Sequence, residues 1–200
     1  MNLINFLFPN TIKWPELTGN RIYMAHFDNK YIENLRAFLA DPHTVKLAFG
    51  ISGDFNRSKI AENYIMQVKQ SAGKTLSIFS KNDASFIGVA HISFVNFFSK
   101  NYKFGILLGD KNYQDKGLGR DCVYTVLEYL FENKKVNSVT LETADFNHRA
   151  RKCFEVCGFK KISAFRDFDE TARQYSNKIL YKITKEEYLG KTQIAKSGRK

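Results

Sequence analysis

The chain has only three cysteines, Cys122, Cys153 and Cys157, with no CxxC pair and no histidine at zinc-finger spacing. That excludes a disulfide framework and a structural zinc site, and no metal is expected. No apolar run approaches the ~20 residues that span a bilayer, and residues 1–9 lack the basic start and cleavage site of a signal peptide. The expectation is a protein of the reducing cytoplasm, neither exported nor held in a membrane. Acidic residues are outnumbered, 20 Asp and Glu against 31 Lys and Arg, which leaves a net charge of +11. Such a surplus draws anionic partners, whether phosphorylated cofactors, nucleic acid or acidic lipid, without choosing among them. The cysteine pairs, heptads and basic recognition helix of common DNA readers are missing, so nucleic acid is not the expected partner.

What is present fits one globular domain. At 200 residues, with 44% hydrophobic and 14% aromatic residues, the chain can bury a full core. Residues 1–18 read as an N-terminal extension, 19–189 as a single domain, and 190–200 as a basic tail. From Lys185 onward Lys191, Lys196, Arg199 and Lys200 accompany small polar residues, so this end reads as solvated and mobile. An arm contacting a polyanion is its functional alternative.

Tyr31, Ile32, Leu35, Phe38 and Leu39 recur at helical spacing over residues 29–40, and Asp41-Pro42 is expected to end the helix. A second helix covers residues 56–70, with Asn56 as N-cap and Gly73 beyond its end. The period then shortens: residues 74–78, 86–98 and 103–108 read as three successive antiparallel strands. Residues 117–132 return to helix, 138–143 to strand, and 147–157 to a short helix stopped by Gly158. Strand, helix, strand over residues 103–143 is a βαβ crossover, so those two strands should be parallel neighbours. Strands near residues 161–166 and 177–183 complete a mixed sheet.

The segment Gln114, Asp115, Lys116, Gly117, Leu118, Gly119, Arg120 joins a strand to a helix with two glycines in the turn. Glycines let the main chain approach a ligand closely, and the first helical turn offers free N–H donors at the positive end of a dipole. That suits a phosphate or pyrophosphate; an ordinary tight turn is the plain alternative. The dinucleotide fingerprint fails because Cys122 stands where its third glycine belongs, and the P-loop fails for want of a Lys-Ser/Thr pair.

Gln114, Gly117 and Gly119 resemble the Gln/Arg-x-x-Gly-x-Gly/Ala signature of the GNAT-type N-acetyltransferases, which bind acetyl-CoA. Residues 145–159, with Asn147, Ala150, Gly158 and Phe159, resemble the family's second element, Asn-x-x-Ala-x-x-x-Tyr-x-x-x-Gly-Phe. With the order of elements, the resemblance covers about residues 19–189. Gly50-Ile51-Ser52, Ile87-Gly88 and residues 105–111 are similar to the branch holding ribosomal-protein N-terminal acetyltransferases and spermidine acetyltransferase.

The resemblance implies an α/β domain: a mixed, twisted sheet with helices on both faces, and acetyl-CoA bound where the central parallel strands diverge. Backbone groups of Ile106, Leu107 and Leu108 would pair with the pantetheine arm, and the N–H groups from Gln114 to Arg120 would hold the pyrophosphate. Asn147 would hydrogen-bond near the thioester and Ala150 would pack beside the arm. Arg151 or Lys152 would reach the phosphates, Lys152 being the candidate, although a solvated helix face explains both equally well. The implied reaction is direct attack of a neutral amine on the thioester, with a main-chain N–H at a strand kink near Leu108 polarising the carbonyl. An alkylamine of pKa ~10 needs a base.

Departures from the pattern fall on the catalytic groups. Phe154 stands where relatives place a tyrosine acid, and Asn96 and Lys103 stand where they often place acidic residues. The remaining bases are His91, Asp110 and a water chain, with His91 first because imidazole titrates in the useful range. A structural histidine and a turn carboxylate are the plain readings of the two. Cys153 and Cys157 read as packing, Tyr102 and Tyr113 as possible replacements for the acid or as packing. The acceptor is a peptide N-terminus, amino sugar or other small amine, with polyamines disfavoured by the lack of acidic residues. A cofactor-binding module without catalysis and a nucleic-acid-binding protein are the alternatives; monomer and homodimer are both open.

Overall fold

The computed structural model describes residues 14–51, 56–71, 74–96 and 99–197. Eight strands form one sheet: β1 (Leu17–Thr18), β2 (Ile22–His26), β3 (Thr75–Ser80), β4 (Phe86–Asn96), β5 (Asn101–Leu108), β6 (Ser138–Ala144), β7 (Lys160–Asp169) and β8 (Gln174–Thr184). Their spatial order is β1-β2-β3-β4-β5-β6-β8-β7. Among the described residues only the β5–β6 pair is parallel, as the crossover requires. The expected helices on both faces are present: α1 (Ile32–Ala40), α2 (Pro42–Phe49) and α3 (Arg57–Gln70) on one, α4 (Leu118–Glu128) and α5 (His148–Cys157) on the other. A last helix, α6, spans Lys185–Ser197. Among the described residues no helix is long and apolar enough to cross a membrane.

Alternation along the strands divides the core in two. On β4 and β5, Ala90, Ile92, Phe104 and Ile106 point toward α4 and α5, while Val89 and Leu107 point toward α1–α3. Local chemistry sets the helix ends. The Asn56 side chain accepts from the Lys59 N–H, Asn147 accepts from the Ala150 N–H, and Gly158 closes α5 at φ 102°.

Several expectations need correcting. Asp41-Pro42 ends α1 as expected, with Asp41 as its C-cap, but the pair also starts a helix that went unread: the Asp41 side chain accepts the Thr44 N–H and Pro42 sits in the first turn of α2. The segment after Lys185, read as a mobile tail, is helical through Ser197, and Tyr188 stacks on Phe131. Within residues 14–18, assigned to an extension, Trp14 and Leu17 belong to the core, Trp14 being 1% exposed and edge-on to Tyr102 and Tyr129. Strands β1 and β2 went unread, and the β7–β8 hairpin runs well beyond the expected strand limits. Its tip docks on α3 through Asn63 Nδ2 and Thr171 Oγ1 at 2.8 Å. Phe98, Gly73 and Ser52, each used above, lie outside the described residues.

The parallel pair positions the site. The β5–β6 ladder holds only from Asn101–Ser138 to Lys103–Thr140, after which the strands part. At the far end of β5 the Leu107 carbonyl lies where a Cβ on Gly88 would be, so only glycine fits opposite it. This local distortion falls beside the expected kink at Leu108.

Candidate functional site

The parted strands open a cavity of about 500 Å³ that connects the two faces of the sheet. One wall is β5 from Phe104 to Leu108; the other is Leu141, Glu142 and Thr143 on β6 with the first turns of α5. At one end stands the glycine turn that begins α4, and at the other Thr44, Leu47 and Ala48 of α2.

The glycine turn takes its shape from Gly117, the N-cap of α4, at φ 78° and ψ 2°. The Asp121 N–H bonds back to the Gly117 carbonyl at 3.2 Å, which leaves the N–H groups of Leu118, Gly119 and Arg120 without an intrahelical acceptor. They sit at the positive end of the α4 dipole beside two guanidiniums. A Cβ placed on Gly117 would lie 3.3 Å from Arg120 and 3.7 Å from Arg21. This concentration of donors and cations suits an anionic group. The β5–β6 ladder stops at Lys103–Thr140, so past it the edge of β5 that faces β6 is open for an extended ligand to lie against. The residues present therefore fit coenzyme A: an open strand edge for an amide-bearing arm, and a donor-rich turn for its phosphates.

The expected cofactor residues come together, with one exception. Ile106, Leu107, Leu108, Gln114, Asp115, Gly117, Leu118, Gly119, Arg120, Asn147, Ala150 and Lys152 all line the cavity. Lys116 does not; its carbonyl accepts from Arg21 and its ammonium lies over the Tyr113 ring. Asn147 spends two of its hydrogen-bonding positions on structure, capping α5 and donating to the Leu47 carbonyl at 3.2 Å.

The candidate bases stand apart from the lining. Asp110 caps a short helical turn by accepting the Asn112 N–H at 2.9 Å. His91 is on β4 directly across from Gly105, on the α1–α3 face, and its Nδ1 lies 3.2 Å from Thr75 Oγ1. Burial, together with the nearby Lys74 and Lys103 ammoniums, pushes its pKa below the ordinary imidazole range. Phe154 is buried between Phe159 and Tyr181 and offers no proton. Of the two tyrosines, Tyr102 packs against Trp14, and the Tyr113 hydroxyl donates to the Asp83 carboxylate. Cys153 lines the cavity rather than the core alone; hydrogen bonding with Cys157, aided by Arg120, holds its thiol below the usual range.

Sequence reasoning missed Glu142, Arg21 and Arg149. Glu142 pairs with Lys103 at 2.8 Å on the α1–α3 face of the opening, so the lysine charge is balanced. No local pattern marks these residues, because each acts on a partner about 35 to 95 positions away.

The model of the acetyltransferase (GNAT) domain family matches residues 21–160. No curated protein matches the chain in sequence. Among solved structures, a GNAT-family acetyltransferase from Bacillus anthracis is 17% identical, with a TM-score of 0.70 over 86% of this chain and 99% of its own. A spermidine N-acetyltransferase from Vibrio cholerae, solved with CoA and spermine, is 16% identical, with a TM-score of 0.65 over 84% and 98%. A structure described as a ribosomal-protein-serine acetyltransferase from Vibrio cholerae is 15% identical, with a TM-score of 0.66 over 84% and 97%. With the family model covering most of the chain and the parted strands and glycine turn in place, the chain belongs to the GNAT acetyltransferases, enzymes that take acetyl from acetyl-CoA.

Proposed function

We propose that this protein transfers acetyl from acetyl-CoA to a primary amine by direct attack, with the acceptor entering from the α1–α3 face. The observation that carries the reading is the opening itself. Past Lys103–Thr140 the parted strands join the glycine turn on one side of the sheet to the Glu142 side chain on the other, where Glu142 pairs with Lys103 and His91 stands on the same face just outside the lining. Coenzyme A, when bound, supplies a thioester whose thiol, of pKa ~8.5 in kind, is a fair leaving group. The chain supplies the rest. Gly117, Leu118, Gly119 and Arg120 hold the phosphates, and Ile106, Leu107 and Leu108 bind the arm. The distorted end of β5 presents a main-chain N–H to the carbonyl oxygen.

His91 is the base in this reading, and its surroundings prepare it. Nδ1–H donates to Thr75 Oγ1, Thr75 to Ser71 Oγ at 3.3 Å, and Ser71 to the Gln67 carbonyl at 2.6 Å. This direction satisfies every donor in the chain and leaves the Nε2 lone pair free to take a proton. The depressed pKa keeps the ring neutral near pH 7. Asp110 is engaged as a cap and is the lesser candidate. Because Lys74 lies near the base and Glu142 is already taken by Lys103, the site favours an amine borne on an acceptor with an anionic part, such as an amino sugar phosphate or an acidic peptide, over a polyamine.

Thiol release from acetyl-CoA across a panel of such amines, with thermal unfolding followed with and without CoA, tests the reading. CoA should raise the melting temperature and at least one amine should release thiol. A CoA shift with no release from any amine would leave a binding module, the outcome that Phe154 would explain. No shift would defeat the enzyme reading.

A further inference from the structure

The two walls of the cavity are tied together by side chains that the reading above leaves unused. Gln114 Nε2 donates to the Leu108 carbonyl at 3.3 Å, and Gln114 Oε1 accepts from Arg149 Nη1 at 2.9 Å. Arg149 also pairs through Nε with Asp115 Oδ1 at 2.9 Å. Gln114 and Asp115 belong to the glycine turn, Arg149 to the first turn of α5 opposite, and all three line the cavity, so these bonds cross it.

The pair is easily exchanged. The Arg149 side chain is 44% exposed and that of Asp115 77%, a setting in which an ion pair adds little stability. A phosphate is the stronger partner, because it offers several anionic oxygens to the planar guanidinium fork. The two partners also differ in freedom. Asp115 has its backbone fixed in the turn at φ 58°, a left-handed conformation, and a short side chain that meets Arg149 at the cavity. Arg149 has a long, mobile stem.

We propose that Arg149 is a ligand of the coenzyme's phosphates, held in waiting by Asp115. When coenzyme A enters, the guanidinium leaves the carboxylate for phosphate oxygens and keeps Gln114 as its second anchor. Asp115 is then a competitor of the cofactor, a residue whose loss tightens binding. The proposal rests on the phosphate-binding reading of the glycine turn.

Calorimetric titration of the full chain with CoA tests it, using Asp115→Asn, Arg149→Gln and the double variant. Asparagine tolerates the left-handed backbone, so the first change removes charge alone. Arg149→Gln should weaken CoA about tenfold, and Asp115→Asn should tighten it about threefold, the size expected of an exposed ion pair. In the Arg149→Gln background the Asp115→Asn gain should vanish. A gain of equal size there would mean simple repulsion of phosphate by Asp115 and would overturn the exchange, as would wild-type affinity in Arg149→Gln. Loss of the Arg149→Gln penalty with 3′-dephospho-CoA assigns the 3′-phosphate, and its persistence assigns the pyrophosphate; either supports a phosphate contact. Gly117→Glu serves as the control: if it too binds CoA as wild type does, the turn is not the phosphate site and the underlying reading fails instead.

Discussion

The carboxylate of Asp121, in the first turn of α4, accepts the backbone N–H of Arg21 at 2.6 Å, and the Arg21 guanidinium turns back to donate to the Lys116 carbonyl. The N–H groups of Asn20 and Ile22 also reach Asp121, each at 3.1 Å. The approach to β2 is thereby fastened to the glycine turn. Since a trans peptide is planar, fixing the Lys116 carbonyl toward Arg21 sends the Gly117 N–H the opposite way. A residue about a hundred positions upstream thus orients a donor of the proposed phosphate site.

Separate losses follow for the two residues. Asp121→Ala leaves three backbone donors without their charged acceptor and should cost about 2 kcal/mol, lowering the melting temperature by roughly 4–8 °C. Arg21→Met should leave the melting temperature within about 2 °C of wild type, because its side chain is exposed, yet weaken CoA several-fold in calorimetric titration. Equal effects of both on stability would contradict this division.

The two glycines of the turn should respond differently. A Cβ on Gly119 would meet Leu108 at 3.5 Å and Cys153 at 3.8 Å, ordinary contacts, so Gly119→Ala should fold and bind CoA within about twofold of wild type. Gly117→Ala must hold a left-handed φ and should cost about 1 kcal/mol on thermal unfolding, with weaker CoA binding.

The base can be tested through its partner. His91 must be neutral to accept a proton, and its pKa lies below the ordinary ~6.5, so kcat/KM should be flat near pH 7 and fall only in more acid solution. Thr75 is buried, and Thr75→Val keeps its shape while removing the hydroxyl; kcat should fall about tenfold with little change in the amine KM, and Thr75→Ser should restore it. His91→Gln should remove the acid limb. The same shift has a stability sign: the unfolded chain takes the proton first as pH falls, so His91 contributes stability above about pH 6.5 that is lost below it.

In the proposed reading Gly105 lies between cofactor and acceptor. Its Cβ direction is open, so Gly105→Val should fold normally and fill the space beside His91. The amine KM should rise about tenfold, the size of a lost close contact. An unchanged KM would place the acceptor elsewhere.

What the sequence made legible was whatever local pattern controls. The crossover, the cap at Asn56 and the stop at Gly158 depend on neighbours within a few positions, and they stand as read. Asp41-Pro42 ends the first helix as read, but the same dipeptide also caps and begins the next, and only packing of Val45 against the core reveals that second helix. Most of the residues that line the cavity were legible because motif spacing carries them. Glu142 and Arg149 were not, because a strand carboxylate and a helix arginine carry no signal until folding sets them beside Lys103 and Asp115.

The central claim is that coenzyme A lies between the parted strands with its phosphates on the turn that starts α4. Amide hydrogen exchange of the full chain with and without CoA measures this directly. Protection should appear at Ile106, Leu107 and Leu108 and at Gly117, Leu118, Gly119 and Arg120, while β7 and β8 stay unchanged. Protection confined to other segments, with residues 106–120 exchanging as before, would contradict it.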